Sequence, residues 1–293
     1  MKEQFIDWNP GQKSLALLKH IATILELYRR QGYRLTLRQL YYQMVSRDLI
    51  PNNVRSYSSI GDLVSNGRLA GIIDWEMIED RVRIPARNSH WESPAQILEA
   101  AASSYYRDRW EDQECHVEVW CEKDAVSNII QPVCKKWDVT FMANRGYSSQ
   151  SAMYEAYQRL RKAGNDGKEN WIIYLGDHDP SGIDMTRDIT ERIGTFLAQS
   201  FEGVNRIALN MDQIDLYNPP ENPAKQTDSR FASYLEKYGE SSWELDALEP
   251  SILSDLVEKA ILKHADISAM QAVEEIETEH KVKILDLAAR LED

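Results

Sequence analysis

The chain has 293 residues, of which 43% are hydrophobic and 28% are charged, and its formal net charge at pH 7 is −13. A chain of this length buries about three quarters of its unfolded surface, which is enough for two ordinary domains. Because neither a run of about 18 apolar residues nor a signal sequence is visible, we expect a soluble cytoplasmic protein without membrane contacts. An odd number of cysteines without zinc-finger spacing predicts reduced, structural thiols.

The negative charge is concentrated in the second part of the chain. Residues 1–110 contain 15 Lys and Arg against 12 Asp and Glu, a net charge of +3, whereas residues 111–293 contain 19 against 35, a net charge of −16. The overall charge argues against nucleic acid as a partner, since phosphate contacts supply most non-specific affinity, but the basic first part weakens that objection. Between residues 29 and 55, arginines with interleaved tyrosines face the single acid Asp48, a composition that suits phosphate binding.

The first part of the chain is predicted to be helical. Residues 12–30 carry apolar side chains at helical spacing, which predicts one amphipathic helix. A second helix is expected after Thr36, because Thr-Leu-Arg-Gln matches the capping box, and a third is expected from about Tyr57 to Leu69. Two short helices joined by a tight turn predict a helix-turn-helix, with residues 72–83 as its wing, and a plain helical bundle is the alternative.

Two adjacent tyrosines in the second predicted helix differ in helical phase. Tyr41 lies on the apolar stripe with Leu37 and Met44 and is predicted to pack, whereas Tyr42 shares the face of Arg38 and is predicted to be exposed. A phenol has a pKa near 10 and is a poor nucleophile at neutral pH. A guanidinium one helical turn away is expected to hold a phosphate and to favour the phenolate.

The remainder of the chain alternates between predicted strands and helices. Residues 84–95 lack periodicity and contain two prolines, so they are expected to leave the first unit, and residues 97–110 predict a connecting helix. Alternation of strands and helices after that point predicts a parallel α/β sheet, and residues 250–291 predict two further helices. The strand candidates are residues 117–121, 139–142, 171–176 and 205–209.

Acidic residues follow two of the predicted strands at the point where each ends. Glu122 follows the first strand, and Asp177 and Asp179 follow the third. Because the carboxyl ends of parallel strands share one edge, these acids are expected to face one crevice. Two carboxylates about 4 Å apart repel by about 4 kcal/mol at an effective dielectric of about 20, so they require a divalent cation or raised pKa values. Oxygen ligands favour magnesium or manganese, although an isolated Asp-x-Asp is also typical of a solvated turn.

The motifs of the chain together resemble a known family. The sequence EKDA at 122–125, followed by GDHDPSG at 176–182, is similar to the Toprim domain, the metal-binding module of topoisomerases, bacterial primases and several nucleases. The intervening NRGYSS and the Asp-Pro-x-Gly form more narrowly resemble the A subunit of type IIB DNA topoisomerase (topoisomerase VI) and its meiotic double-strand-break relatives. The sequence RQLYY at 38–42 is similar to the Arg-Glu/Asp-x-aromatic-Tyr motif of the same subunits, although Gln39 replaces the acid.

The resemblance implies a set of functional residues and partners. It makes Glu122, Asp177 and Asp179 the ligands of magnesium or manganese, and it makes Tyr42, assisted by Arg38, the group that attacks DNA to form a 5′-phosphotyrosyl link. It also implies a homodimer in which the tyrosine of one protomer meets the metal of the other. Since no GxxxxGK[ST] phosphate loop is present, ATP-driven strand passage would need a separate ATPase subunit. The residues expected to contact DNA are Arg34, Arg47, Arg55, Arg145 and Lys225.

These expectations divide the chain into three parts. Residues 1–90 are expected to form a winged-helix DNA-binding domain, residues 91–112 a connecting helix, and residues 113–293 a Toprim-like parallel α/β domain with a carboxy-terminal helical extension. The expected function is magnesium-dependent DNA cleavage through Tyr42. One alternative is a Toprim nuclease that hydrolyses DNA with metal-activated water, and another is a non-catalytic helix-turn-helix DNA-binding protein. Glu244 and Asp246 are consistent with a second metal site or with a helix cap and a solvated turn.

Overall fold

The protein is a mixed α/β protein, as predicted. The structure is a computed structural model. Separate hydrophobic cores fill an amino-terminal group of helices and the two faces of a parallel sheet. Among the described residues, no helix is both long and apolar enough to cross a membrane. The described residues are 2–78, 88–144, 146–197 and 201–291.

The amino-terminal unit consists of three helices around a core that includes the fully buried Ile21, Leu40 and Ile60. The predicted capping box is present, because Gln39 N–H donates to Thr36 Oγ1 at 3.3 Å and Thr36 N–H donates to Gln39 Oε1 at 2.8 Å. The first two helices therefore match their predicted positions. The helices are α1 (Gln12–Arg30), α2 (Leu37–Val45) and α3 (Val54–Leu69).

Helix α3 begins earlier than predicted, and the described residues do not show a wing. Asn53 Oδ1 accepts a hydrogen bond from Ser56 N–H at 2.8 Å, and this cap starts the helix at Val54. After α3 the described chain contains a short 3₁₀ turn, Trp75–Met77, and two isolated β-bridges, which join Ala70 to Gln4 and Ile78 to Leu35. Residues 79–83 of the predicted wing lie outside the described residues, so the winged helix stays a prediction.

The connecting helix is α4 (Pro94–Ser104), which is shorter than the predicted one. Ser93 Oγ caps it by accepting a hydrogen bond from Gln96 N–H at 3.3 Å. Helix α4 packs against the last helix of the chain rather than against the amino-terminal unit. Residues 84–87 of the predicted linker are outside the described part of the structure.

A four-stranded parallel sheet forms the centre of the fold, with its strands in the order β2-β1-β3-β4. Each strand coincides with a predicted apolar run, and the parallel arrangement confirms the predicted sheet. Alternation of side chains sends Val119 and Cys121 to one face and Trp120 to the other, and all three are fully buried. The strands are β1 (Cys115–Cys121), β2 (Thr140–Ala143), β3 (Glu169–Leu175) and β4 (Phe201–Ala208).

Helices cover both faces of the sheet, as is usual for parallel strands. The helix after β1 begins at Ser127, because a 3₁₀ turn, Asp124–Val126, precedes it. This helix packs on the face of the sheet that carries Val119. The next two helices of the chain pack on the opposite face, which carries Trp120. The helices are α5 (Ser127–Lys136), α6 (Gln150–Asn165) and α7 (Pro180–Leu197).

The carboxy-terminal third of the chain contains several short elements before its last two helices. Two short helices and an antiparallel strand pair lie between β4 and the two helices predicted near the carboxyl end. The cysteines Cys115, Cys121 and Cys134 are free thiols, as predicted. The additional elements are α8 (Met211–Tyr217), β5 (Glu221–Pro223), α9 (Phe231–Tyr238), β6 (Ser241–Trp243), α10 (Pro250–Leu262) and α11 (Ile267–Ala289).

Candidate active site

The acids that follow β1 and β3 meet at the carboxyl edge of the sheet. The two strands are neighbours in a register that pairs Cys121 with Leu175, so the residues after each strand lie side by side. Asp177 N–H donates to Glu122 Oε2 at 2.9 Å, and both acids are at most 7% exposed. The structure therefore brings these two predicted site residues together.

Burial and crowding raise the pKa values of both acids. Burial is the largest contribution for Glu122, and repulsion from Asp177 adds to it, so the pKa of Glu122 is raised to about 8. Burial also raises the pKa of Asp177 to about 6, against the opposing attraction of Lys123. Two neighbouring acids with raised pKa values bind a proton or a cation more readily than two isolated carboxylates do.

Asp179, the third predicted ligand, is partly committed to the start of α7. Its Oδ1 accepts hydrogen bonds from Gly182 N–H at 2.6 Å and from Ser181 Oγ at 2.9 Å. The residue between the two aspartates, His178, points elsewhere, because its Nδ1 lies 2.8 Å from the Tyr234 hydroxyl in an aromatic cluster. Burial lowers the pKa of His178 to about 4, so it is neutral at physiological pH.

Lys123 contacts Asp177, which is one of the predicted metal ligands, together with Glu244 and Asp246. Its Nζ lies 2.9 Å from Asp177 Oδ2, 2.5 Å from Glu244 Oε2 and 3.1 Å from Asp246 Oδ1. Burial opposes protonation of the amine, but the three carboxylates outweigh it and raise the pKa of Lys123. This lysine was not among the predicted site residues, although it directly follows Glu122.

Arg38 connects the amino-terminal unit to the same acids. Its Nη2 forms an ion pair with Glu244, and its Nε lies 3.0 Å from Asp246 Oδ2. Burial opposes ionisation of Glu244, but Lys123 and Arg38 lower its pKa to about 2. Glu244 and Asp246, for which a second metal site or a cap was considered, are thus the carboxylate partners of two cations.

Tyr42 is buried, and the prediction that it is exposed was wrong. Only 4% of the residue is accessible, because the 3₁₀ turn Leu245–Ala247 covers the face of α2 that carries it. Tyr41 packs as predicted, with its ring centroid 5.3 Å from that of Tyr42. The Tyr42 hydroxyl accepts a hydrogen bond from Asn222 Nδ2 at 3.4 Å, and Asn222 lines the cleft that contains the acids.

The surroundings of Tyr42 disfavour its phenolate. Burial is the largest cause, and Glu244 and Asp246 add to it, so the pKa of Tyr42 is raised. Arg38 lies 5.9 Å from the ring centroid and acts in the opposite direction, but its effect is smaller. The expected activation by the guanidinium is therefore outweighed in this conformation.

Arg206 fixes the main chain of the Asp-x-Asp loop and was not predicted from the sequence. It projects from β4 and donates to the carbonyls of Asp177 at 2.6 Å, Gly176 at 3.0 Å and Gly182 at 2.9 Å. Gly182 is required at its position, because a Cβ there would lie 2.3 Å from Asp177 O and 3.0 Å from Glu122 Oε2. The sequence signal for Arg206 was a charged residue within a strand candidate.

The acids and cations line one open cleft with a volume of about 490 Å³. Within the described ranges, no three His, Cys, Asp or Glu side chains are grouped so that they could hold a metal ion as they stand. The donors are nevertheless oxygen atoms of the kind that a hard divalent cation prefers, and the pKa values of Glu122 and Asp177 stay raised even though Lys123 contacts Asp177. The main lining residues are Arg38, Glu122, Lys123, Asp177, Asp179 and Lys225.

The residues predicted to contact DNA lie at different places. Lys225 is exposed at the cleft, whereas Arg34 is exposed beside α5 in a second cavity. Arg55 is exposed on α3. Arg47 donates to the Gln43 carbonyl at 2.9 Å and lies 3.7 Å from a carboxylate oxygen of Glu249. Arg145 lies outside the described residues.

Comparisons with known proteins leave the fold and the cleft as the basis for assigning a function. No protein-family model matches the chain, and no curated protein shows a significant match to it. The structure defines an α/β protein with a parallel sheet, a helical amino-terminal unit and a cleft of acids and cations at the carboxyl edge.

Proposed function

We propose that the protein is a magnesium- or manganese-dependent enzyme that cleaves DNA in the cleft at the carboxyl edge of the sheet. The observation that supports this function is the convergence of two distant motifs. Arg38 of α2 and the acids Glu122, Asp177 and Asp179 line one cleft within a single chain. The same residues carry the resemblance to the topoisomerase VI A subunit, so the arrangement and the resemblance support the same reaction.

We infer that Glu122, Asp177 and Asp179 hold the divalent cation. Their donors are all oxygen atoms, and burial together with mutual repulsion keeps the pKa values of Glu122 and Asp177 above their usual range. When bound, a divalent cation stabilises the negative charge that develops on a reacting phosphate. The Arg206 hydrogen bonds hold the loop that carries both aspartates, so Arg206 is a positioning residue.

The cations of the cleft bind the substrate phosphates in this proposal. Arg38 offers a planar guanidinium that pairs with two phosphate oxygens, and Lys123 offers a compact ammonium. Both are bound to Glu244 and Asp246, so a phosphate exchanges with these carboxylates. The amino-terminal helical unit binds the flanking duplex through its exposed arginines in a helix-turn-helix manner.

Tyr42 is the nucleophile in the topoisomerase form of the proposal. Its hydroxyl loses a proton, its oxygen forms a bond to phosphorus, and the 3′ oxygen of the DNA strand leaves, which gives a 5′-phosphotyrosyl link. The Asn222 contact supports this role, because it places the Tyr42 hydroxyl at the wall of the cleft. Attack requires α2 to separate from the turn Leu245–Ala247, which covers the ring. A homodimer that supplies the tyrosine from its partner, and a separate ATPase subunit for strand passage, belong to the same proposal.

The burial of Tyr42 favours a second candidate, a nuclease with the same acids. A hydroxyl on a residue that is 4% exposed, with a raised pKa, is a poor nucleophile. In this candidate a water molecule attacks the phosphate, and Tyr42 joins α2 to the turn that carries Glu244 and Asp246.

Incubation with supercoiled DNA and magnesium, followed by denaturation with and without protease, tests the proposal. Covalent cleavage leaves protein on the 5′ ends of wild-type products, and Tyr42→Phe abolishes it. Hydrolysis leaves free 5′ phosphates, and Tyr42→Phe still cuts. The Asp177→Asn variant should lose cleavage in both cases, and Tyr41→Phe is the matched control for removal of a buried hydroxyl. Cleavage by Asp177→Asn at the wild-type rate, or none by the wild type, contradicts the proposed site.

A further inference from the structure

A second cavity lies between the amino-terminal unit and the sheet, and it shares no lining residue with the cleft of acids. Its volume is about 670 Å³, within the range of about 300–1,000 Å³ that is usual for small-ligand sites. The loop between α1 and α2 forms one wall, and α5 with the edge strand β2 forms the other. A hydrogen bond from Asn128 Nδ2 to the Arg34 carbonyl joins the two walls. The cavity thus lies at a junction between two parts of the fold.

Positive charge lies at the rim of this cavity. Arg34 and Lys135 are both exposed, and the described residues that line the cavity include no Asp or Glu. Neither side chain has an ion-pair partner among the described residues. The chain carries 47 acidic against 34 basic residues, so a lining with two cations and no acid departs from its average surface. Two uncommitted cations at one cavity suit a phosphate group.

The floor of the cavity is apolar. Cys134 and Val139 are 1% and 8% exposed, and Phe141 is half-buried beside them. A flat apolar surface with an aromatic ring is the kind of surface on which nucleic-acid bases stack, because every base has a π face. The lining therefore combines cations that could bind a phosphate with an apolar surface that could bind a base.

In the described part of the chain, two acceptor oxygens of Asn128 lack their usual partners. Its Oδ1 is buried and has no hydrogen-bond partner among the described residues. Its carbonyl lacks the usual helical donor, because residue 132 is a proline inside α5 and has no N–H. A buried acceptor without a partner costs free energy until a ligand or a water molecule satisfies it.

We propose that this cavity binds one nucleotide unit, with the phosphate at Arg34 and Lys135 and the base against Val139 and Phe141. A free nucleoside monophosphate and a single nucleotide of a DNA strand present the same chemistry to the cavity. The proposal does not depend on DNA cleavage, because it uses none of the residues assigned to the reaction cleft.

Binding measurements without divalent cations test this site. The probes are deoxyadenosine 5′-monophosphate, deoxyadenosine and inorganic phosphate by calorimetry, and a fluorescent eight-residue oligothymidylate by anisotropy. We expect at least one of the two nucleotide probes to bind, and Lys135→Gln to weaken it about tenfold through loss of a charge-assisted contact. Phe141→Leu keeps the apolar volume but removes the ring, so it should weaken binding by roughly tenfold as well.

Lys136→Gln is the matched control. It removes the same charge from the neighbouring position of α5, but its Nζ lies 2.6 Å from Glu258 Oε1 and does not line the cavity. Monophosphate binding that is tighter than binding of deoxyadenosine or inorganic phosphate, and that falls in Lys135→Gln but not in Lys136→Gln, assigns the site to a free nucleotide. Oligonucleotide binding with the same variant pattern, without monophosphate binding at millimolar concentration, assigns it to a strand. Equal effects of the two lysine variants, or no binding of either probe by the wild type, overturn the proposal.

Discussion

Replacement of Gly182 by alanine tests whether the close packing of the Asp-x-Asp loop controls the reaction. A Cβ at this position would lie 2.3 Å from the Asp177 carbonyl oxygen, about 1.1 Å closer than the 3.4 Å at which ordinary contact begins. The conflict is with main chain, so rotation of a side chain does not relieve it. Overpacking of this kind costs about 1–3 kcal/mol in the free energy of unfolding. A displacement of about 1 Å at a reacting centre lowers the rate by about 100-fold.

The assays are thermal unfolding and magnesium-dependent cleavage of supercoiled DNA. We expect the Gly182→Ala variant to unfold roughly 2–10 °C below the wild type and to cleave about 100-fold more slowly. Gly194→Ala is the control on the same helix, because a Cβ there meets nothing within 4 Å and an alanine in a helix interior should stabilise by about 0.5–1 kcal/mol. Wild-type cleavage by Gly182→Ala, with a melting temperature equal to that of Gly194→Ala, would refute this reasoning.

Three further predictions concern charge. Without divalent cations, thermal stability should fall as the pH rises from about 5 through about 8. The reason is that the folded protein keeps a proton on Glu122, whose pKa is raised from 4.5 to about 8. Glu122→Gln should flatten this profile. Arg159 donates to both oxygens of buried Glu118 at 2.8 Å. Arg159→Met should therefore lower the free energy of unfolding in urea by about 3 kcal/mol. Arg161→Met, at an exposed position, should lower it by less than about 1 kcal/mol. Arg55→Gln should reduce the salt dependence of DNA binding by about one unit, and an unchanged slope would remove Arg55 from the interface.

Elements with strong local signals were predictable from the sequence. The capping box at Thr36 determines where α2 begins, because both of its hydrogen bonds are made within one helical turn. Strand-helix alternation was sufficient to predict the parallel sheet. The meeting of Glu122 with Asp177 then follows from the adjacency of two strands that both end at the same edge.

Tyr42 marks the limit of this approach. Helical periodicity reports which face of α2 packs within its own unit, and on that criterion Tyr42 was assigned to the exposed face. Tyr42 is buried by the turn Leu245–Ala247, which is distant in the sequence. The residues of this turn show no pattern that would predict contact with α2. The roles of Lys123 and Arg206 were missed for the same reason, since each depends on partners supplied by other elements.

The protein carries its own competitor for any anion that enters the cleft. Glu244 and Asp246 occupy the contacts of Arg38 and Lys123 that a phosphate would use. Because these carboxylates are attached to the same chain, their effective concentration beside the cations is high and a small monoanion displaces them poorly. A polyanion meets several cations at once and gains affinity from each. If the proposed function holds, we expect the cleft to favour a polyanion over a small monoanion.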